Sequence, residues 1–193
     1  MKIAIASANQ GKKKEFKAIL EPLGYTLLTA QELNVDMDVV EETGSTFEEN
    51  AMLKSKYLYA QTNLPSLADD SGLTISVLPD ILGIYSARFM GEDTSDDLKN
   101  NEILNLLKNK EDRSAYFTSV ISFTDHEKTH TFEGIAQGKI SHKIQGSQGF
   151  GYDPIFIPEG YGITYGLISD KIKNKISHRA KSLNKFSEFI HEK

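Results

Sequence analysis

Apolar and polar positions follow one another along the chain with two periods, and the pattern predicts strands that alternate with helices. A short apolar run over residues 3–6 is typical of a strand, and apolar residues at helical spacing predict a helix over residues 11–23. A second strand is expected over residues 25–29. Thr46 and Glu49 have the spacing of a capping box, which predicts the start of a long helix.

The second half of the chain continues the alternation. A second capping pattern precedes a helix expected over residues 98–110. Apolar and hydroxyl side chains alternate over residues 117–123, which predicts a long strand with one wetter face and a hairpin partner over residues 131–138. A last helix is expected after Ser177. We therefore predict an α/β fold with a mixed sheet and flanking helices, in which the two halves of the chain could form lobes with a cleft between them.

Length and composition are those of one globular domain, expected over residues 1–193. A net charge of −5 argues against a nucleic-acid binder, because such proteins are normally basic. The absence of cysteine removes disulfides, thiolate zinc sites and cysteine nucleophiles, and it fits a reducing cytoplasm. Apolar runs are too short for a signal peptide or a membrane span, so we expect a cytoplasmic protein with no membrane partner.

The hexapeptide Ala-Asp-Asp-Ser-Gly-Leu at residues 68–73 carries the most chemical information. Its adjacent carboxylates, Asp69 and Asp70, repel each other. A divalent cation, or a raised pKa on one of the two, would best relieve that repulsion near neutral pH. The alternative is a surface turn, since Asp, Ser and Gly are all turn residues.

Two further polar segments are candidates for binding an anion and a metal. The loop between the first strand and helix presents backbone amides and the positive end of a helix dipole, and its residues are Ser7, Ala8, Asn9, Gln10, Gly11 and Lys12. Its spacing is not that of a Walker A loop. Glu41 or Glu42 could join Asp70 around one Mg²⁺ ion, which prefers oxygen ligands. The alternatives are a capped helix with solvated lysines and a polar loop before the Thr46 cap.

The last third of the chain holds candidates for recognising a flat ligand. Phe150 lies between two glycines and could stack on a nucleobase, while Asp153 could accept a hydrogen bond from a ring N–H. The alternative is a tight turn before a strand, with the neighbouring aromatic side chains in the core. Arg179 is expected at a helix start, where the dipole disfavours a cation, and this indicates that a ligand holds it. His178 beside it has the alternative role of a structural histidine.

In this order the motifs resemble those of the inosine triphosphate pyrophosphatase family, the XTP/dITP diphosphatases. The resemblance extends over roughly residues 3–186 and rests on residues 7–12, 41–51, 68–73, 83–88, 149–156 and 177–179. It implies a long mixed twisted sheet that splits into two lobes around a central active-site cleft, in a homodimer. It also implies Mg²⁺-dependent hydrolysis of ITP, dITP and XTP between the α- and β-phosphates, which releases the monophosphate and pyrophosphate.

The same resemblance implies residue roles. Asp70 would be the general base and a Mg²⁺ ligand, with Glu41 as the second metal carboxylate. The substrate-binding residues would be Ser7, Ala8, Asn9, Gln10, Gly11, Lys12 and Ser71 toward the phosphates, Phe150, Gly151, Tyr152, Asp153, His178 and Arg179 toward the base, and Lys173 toward either.

The chain departs from the family pattern at a few positions. Gly166 and Leu167 stand where the family has Ala and Glu, Ile172 stands where it has Glu, and residues 80–83 differ from its Gly-x-Pro-Gly. Two other functions fit the motifs: a pyrophosphatase for modified pyrimidine nucleotides, and a nucleotide-binding regulatory module without turnover. Clustered carboxylates argue against the regulatory module, because binding a polyanion has little use for them without a metal.

Overall fold

The computed structural model describes residues 1–91 and 93–192. In these ranges the strands are β1 (Lys2–Ala6), β2 (Thr26–Thr29), β3 (Ser66–Ile75), β4 (Ser114–Thr124), β5 (Thr129–Ile140) and β6 (Phe156–Pro158). The α-helices are α1 (Gln10–Leu20), α2 (Phe47–Thr62), α3 (Asp96–Leu106), α4 (Asp170–Ile176) and α5 (His178–His191). The strands form one sheet in the order β2-β1-β3-β4-β5-β6. β1 pairs in parallel with β2 and β3, and β6 pairs antiparallel with β5, which confirms the predicted mixed α/β sheet.

Helix boundaries follow local capping chemistry. The first helix ends at Leu20, earlier than predicted, because a 3₁₀ turn over Glu21–Leu23 follows and Gly24 closes it with φ 88°. The Thr46 hydroxyl accepts the Glu49 amide at 3.1 Å, as a capping box requires. The Glu49 carboxylate, however, accepts the amide of Ser45 at 2.6 Å, one residue before the predicted partner. α3 ends at Leu106, four residues short of its predicted end at position 110.

The alternative of a surface turn at the Asp-Asp segment is wrong, because this segment lies in the middle of the buried strand β3. One expectation about β4 was also wrong. β4 has no wetter face, since Thr118 and Ser122 are as buried as the apolar residues between them. The Ser122 hydroxyl is satisfied inside the protein, because it shares a hydrogen bond of 2.8 Å with the hydroxyl of Ser55.

The chain divides into two compact units. The first contains Met1–Asp70, Ser119–Gly134 and the C-terminal segment from His178, and the second contains Ser71–Thr118 and Ile135–Ser177. Phe16 and Phe186 belong to the core of the first unit, and Ile103 and Phe156 to the core of the second. The expected single domain over residues 1–193 and the expected cleft stay predictions.

No α-helix in residues 1–91 and 93–192 has the length and apolar character needed to cross a membrane.

Candidate active site

Asp69 and Asp70 belong to two different polar clusters of the first unit. Neighbouring side chains on a strand point to opposite faces of the sheet. Their mutual repulsion is therefore balanced by two separate sets of partners. Asp69 binds Lys12 and Arg179, whereas Asp70 binds Lys54.

The Asp69 cluster is buried and rich in charge. The Asp69 carboxylate accepts Lys12 Nζ at 2.7 Å, Arg179 Nη2 at 3.0 Å and the Ser119 hydroxyl at 2.5 Å. Arg179 also bridges to Glu15 on α1. Burial by itself would raise the pKa of Asp69, but the charges of Arg179 and Lys12 outweigh it and hold that pKa well below its usual range. This carboxylate therefore stays ionised and organises the cations around it.

The position of Arg179 corrects one interpretation. The residue lies in the first turn of α5, where we inferred that a ligand holds it against the dipole. Its guanidinium is held instead by two carboxylates of the protein, those of Glu15 and Asp69. Neighbouring His178 is also buried. The expected contact of both side chains with a base stays a prediction.

The Asp70 cluster surrounds a mostly buried carboxylate whose pKa is raised. Asp70 accepts Lys54 Nζ at 3.2 Å and Asn50 Nδ2 at 3.3 Å. Burial raises the pKa of Asp70 above its ordinary value, and the carboxylates of Glu42 and Asp69 add to the rise, against the opposing charge of Lys54. A carboxylate with a raised pKa is a stronger base for a proton of water.

Glu42 lies in the acidic loop, residues 41–44, and shares the partner Lys54 with Asp70. Lys54 Nζ lies 2.6 Å from Glu42 and also donates to the Asp69 carbonyl at 2.9 Å. The side-chain oxygen of Asn50 accepts the Gly44 amide at 2.8 Å, which fixes the acidic loop close to Asp70. By residue chemistry either Glu41 or Glu42 could be a metal ligand. The family resemblance implied Glu41, which is exposed here.

The donor set of this cluster fits a hard cation that completes its shell with substrate. In residues 1–91 and 93–192, no group of three or more His, Asp or Glu side chains could hold a metal by itself. Mg²⁺ commonly takes only one or two protein carboxylates and fills its other positions with phosphate oxygens and water. Asp70 together with one glutamate of the acidic loop meets that requirement.

The predicted anion loop joins β1 to α1, as expected. Asn9 is the N-cap of α1, and its side chain accepts the Lys12 amide at 3.0 Å. Gln10 and Gly11 open the helix, while Ser7 and Ala8 lie between it and the strand. The Lys12 side chain is mostly buried against Asp69, so it is not a solvated surface lysine. Burial lowers the pKa of Lys12, although the charge of Asp69 opposes that fall.

The second unit holds the predicted base-recognition loop. Gly149 and Gly151 have φ values of 78° and 61°, a conformation that favours glycine, and they flank Phe150. The Asp153 carboxylate accepts the Phe150 amide at 2.8 Å and Lys173 Nζ at 2.5 Å. The Lys173 ammonium also lies 4.7 Å from the centre of the Phe150 ring.

The remaining expected site residues of this unit are Tyr152, which is buried, and Ser71, which is half-buried on β3 directly after the carboxylate pair. The departures from the family pattern lie near the loop in sequence. Leu167 and Ile172 are exposed. Gly166 is closely packed, because a Cβ added there would lie 2.5 Å from the Gln145 carbonyl oxygen.

Sequence reasoning missed several polar residues of the first unit: Glu15, Asn50, Lys54 and Ser119. Asn50 lies within the family motif over residues 41–51, although no role was assigned to it. Spacing was a further signal, since Asn50 and Lys54 are four residues apart and therefore lie on one face of α2. Nothing in the sequence indicated that this face meets β3.

The fold and these clusters define an α/β protein with a buried carboxylate of raised pKa and a strand-to-helix turn that ends in a buried lysine. The chain belongs to the Ham1 family, whose model matches residues 3–189.

Relatives and solved structures support this assignment over the full length. The chain is 41% identical over 193 residues to a dITP/XTP pyrophosphatase of Leptospira interrogans, with 99% of this chain and 98% of the relative covered. It is 44% identical over 189 residues to a dITP/XTP pyrophosphatase of Staphylococcus aureus, with 97% and 95% covered. A HAM1 protein from Coxiella burnetii has the same fold, with a TM-score of 0.89, 36% identity and full coverage of both chains.

Proposed function

We propose that this protein hydrolyses ITP, dITP and XTP to the nucleoside monophosphate and pyrophosphate with the help of Mg²⁺. Full-length relatives named dITP/XTP pyrophosphatases make it a nucleoside-triphosphate diphosphatase that acts on non-standard nucleotides, not a regulatory module. The observation that carries the mechanism is Asp70, a buried carboxylate with a raised pKa beside a buried lysine.

In this proposal Asp70 orients the attacking water and accepts its proton. Lys54 keeps Asp70 and Glu42 together before substrate arrives, because its ammonium contacts both carboxylates. Lys12 and the backbone amides at the start of α1 bind phosphate oxygens. Asp69 acts through Lys12, which it holds by an ion pair.

The residues proposed to hold Mg²⁺ are Asp70 and a glutamate of the acidic loop, Glu41 by family resemblance or Glu42 by proximity. When bound, the ion would neutralise charge on the phosphates and polarise the phosphorus that is attacked. The protein's own contribution is to keep Asp70 close to the acidic loop through Asn50, which forms hydrogen bonds with both.

For the base, Phe150 supplies a ring for stacking and Asp153, with Lys173, fixes the backbone of that loop. Hypoxanthine and xanthine carry a carbonyl at C6, where adenine carries an amino group. Arg179 can only donate hydrogen bonds, so a contact with position 6 would favour the carbonyl. We further propose a cytoplasmic homodimer with no nucleic-acid or membrane partner, for which sedimentation is the test of assembly.

The function is tested by pyrophosphate release from ITP, dITP, XTP, GTP and ATP with Mg²⁺, and with EDTA in place of the metal. Asp70→Asn is the key variant, and Asp80→Asn, a change at an exposed carboxylate, is its matched control. We expect metal-dependent turnover of ITP and XTP well above GTP and ATP, lost in Asp70→Asn and kept in the control. Equal turnover of all five nucleotides, or a preference for modified pyrimidine triphosphates, would overturn the proposal.

A further inference from the structure

The loop that carries Phe150, the ring proposed to stack on the base, is bound by two side chains of α3. The amide of Gly151 donates to Asp96 Oδ2 at 2.7 Å, and its carbonyl accepts Asn100 Nδ2 at 3.0 Å. Asp96 and Asn100 are four residues apart and therefore lie on the same face of the helix. Both backbone polar groups of one loop residue are thus bound by one helix face.

Gly151 is the residue at which such a contact controls the loop. Its φ of 61° is a left-handed conformation, and a Cβ added there would meet nothing within 4 Å. The backbone angle, and not a lack of space, is the reason for a glycine at this position. Because glycine has no Cβ, its backbone is intrinsically flexible unless other groups hold it. Fixing its amide and its carbonyl fixes the peptide planes on both sides, including the one that follows Phe150.

Asn100 is costly in a way that a purely structural residue need not be. It is fully buried, and its side-chain oxygen has no hydrogen-bond partner among residues 1–91 and 93–192. An unsatisfied buried acceptor destabilises a protein, and such violations concentrate at functional sites. The same helix face also affects Tyr152, because burial and the charge of Asp96 raise the pKa of its phenol. The protonated phenol donates to the Ser86 carbonyl at 2.7 Å.

We propose that Asp96 and Asn100 are positioning residues for base recognition, which hold Gly151 so that Phe150 presents its ring to the nucleobase. This inference rests on the proposed function. It predicts that the clamp, meaning Asp96 and Asn100, affects only ligands that carry a base.

The experiment compares Asp96→Ala and Asn100→Ala with the wild-type protein. The matched controls are Asp97→Ala and Asn101→Ala, which alter exposed neighbours on the same helix. Four quantities are measured: KM for ITP, kcat for ITP, the ratio of kcat/KM for ITP over GTP, and inhibition by inorganic tripolyphosphate, which carries phosphates without a base.

We expect each clamp variant to raise KM for ITP about tenfold, the effect of losing roughly one good hydrogen bond, and to lower the ITP over GTP ratio. We also expect kcat to change less than KM, and inhibition by tripolyphosphate to stay at the wild-type level. Asp96→Asn, which keeps an acceptor oxygen for the Gly151 amide, should recover most of the loss.

A general structural defect would weaken tripolyphosphate inhibition as well as ITP binding, and that result would overturn the inference. The inference would also be overturned if the protein turns over ITP and the clamp variants keep the wild-type KM for ITP and the wild-type ratio of kcat/KM for ITP over GTP. If Asn100→Ala fails to fold, the exposed Asp96 still decides the question. No pyrophosphate release by the wild-type protein would overturn the proposed function itself, and the clamp with it.

Discussion

Two neighbouring carboxylates on β3 should respond to the same substitution in opposite ways. Asp69→Asn removes the charge that binds Lys12 and Arg179, so that two buried cations each lose a carboxylate partner. Breaking a buried ion pair from one side costs about 3–5 kcal/mol. At about 2–4 °C per kcal/mol for a chain of this size, the melting temperature should fall by about 6–20 °C.

Asp70→Asn should leave stability within about 1 kcal/mol of the wild type, because burial and neighbouring carboxylates already disfavour the charged form of Asp70. Its effect should fall on catalysis, since an amide cannot accept the proton of water. One variant thus loses stability first, and the other loses turnover with stability retained.

Urea unfolding followed by far-UV circular dichroism measures the free energy of unfolding, because the chain has no tryptophan to report by fluorescence. Pyrophosphate release is measured on the same preparations, with Asp80→Asn as the control for loss of one exposed carboxylate. The assignment of the two clusters would be refuted if Asp69→Asn were as stable as the wild type. It would equally be refuted if Asp70→Asn lost as much stability as Asp69→Asn.

Three further predictions use the same assays. Lys54→Met should raise the pKa of Asp70 further, because Lys54 is the strongest of the charges that lower it. The fall of kcat/KM at acidic pH should therefore begin at a higher pH than in the wild type. An unchanged pH profile would contradict this prediction. Gly134→Ala would place a Cβ 2.1 Å from a carbonyl of α5, so stability should fall by about 1–3 kcal/mol, whereas Gly162→Ala, with open space, should be neutral. The pKa of Asp69 is depressed, so its stabilisation is complete above its unfolded pKa and lost as pH falls through its folded value. The stability gap to Asp69→Asn should therefore shrink in acid, and a constant gap would contradict the ion-pair explanation.

Sequence alone was enough for the features that depend on neighbours in the chain. The helical spacing after residue 11, the Thr46 cap and the last helix after Ser177 were all predicted, as was the mixed sheet. The strand-to-helix turn that ends in Lys12 was also recognised, because its amides and capping residue are local properties. The motifs and their order along the chain were enough to recognise the family.

Tertiary structure decided which side chains meet. The composition of the Asp-Asp segment fits a turn as well as a site, and only its place inside a sheet shows that the two carboxylates face different partners. Periodicity likewise suggested a wet face on β4, which packing from other elements buries.

The partners of the candidate site are far apart in sequence. Ser119 is 50 residues from Asp69, Arg179 is 110 residues from it, and Arg179 is 164 residues from Glu15. Local propensity carries no information across such separations, since it reports only on backbone conformation and on the face that a side chain occupies. The charges of these residues were visible in the sequence, but their pairing, and therefore the direction of each pKa shift, exists only once β3, α1 and α5 are packed together.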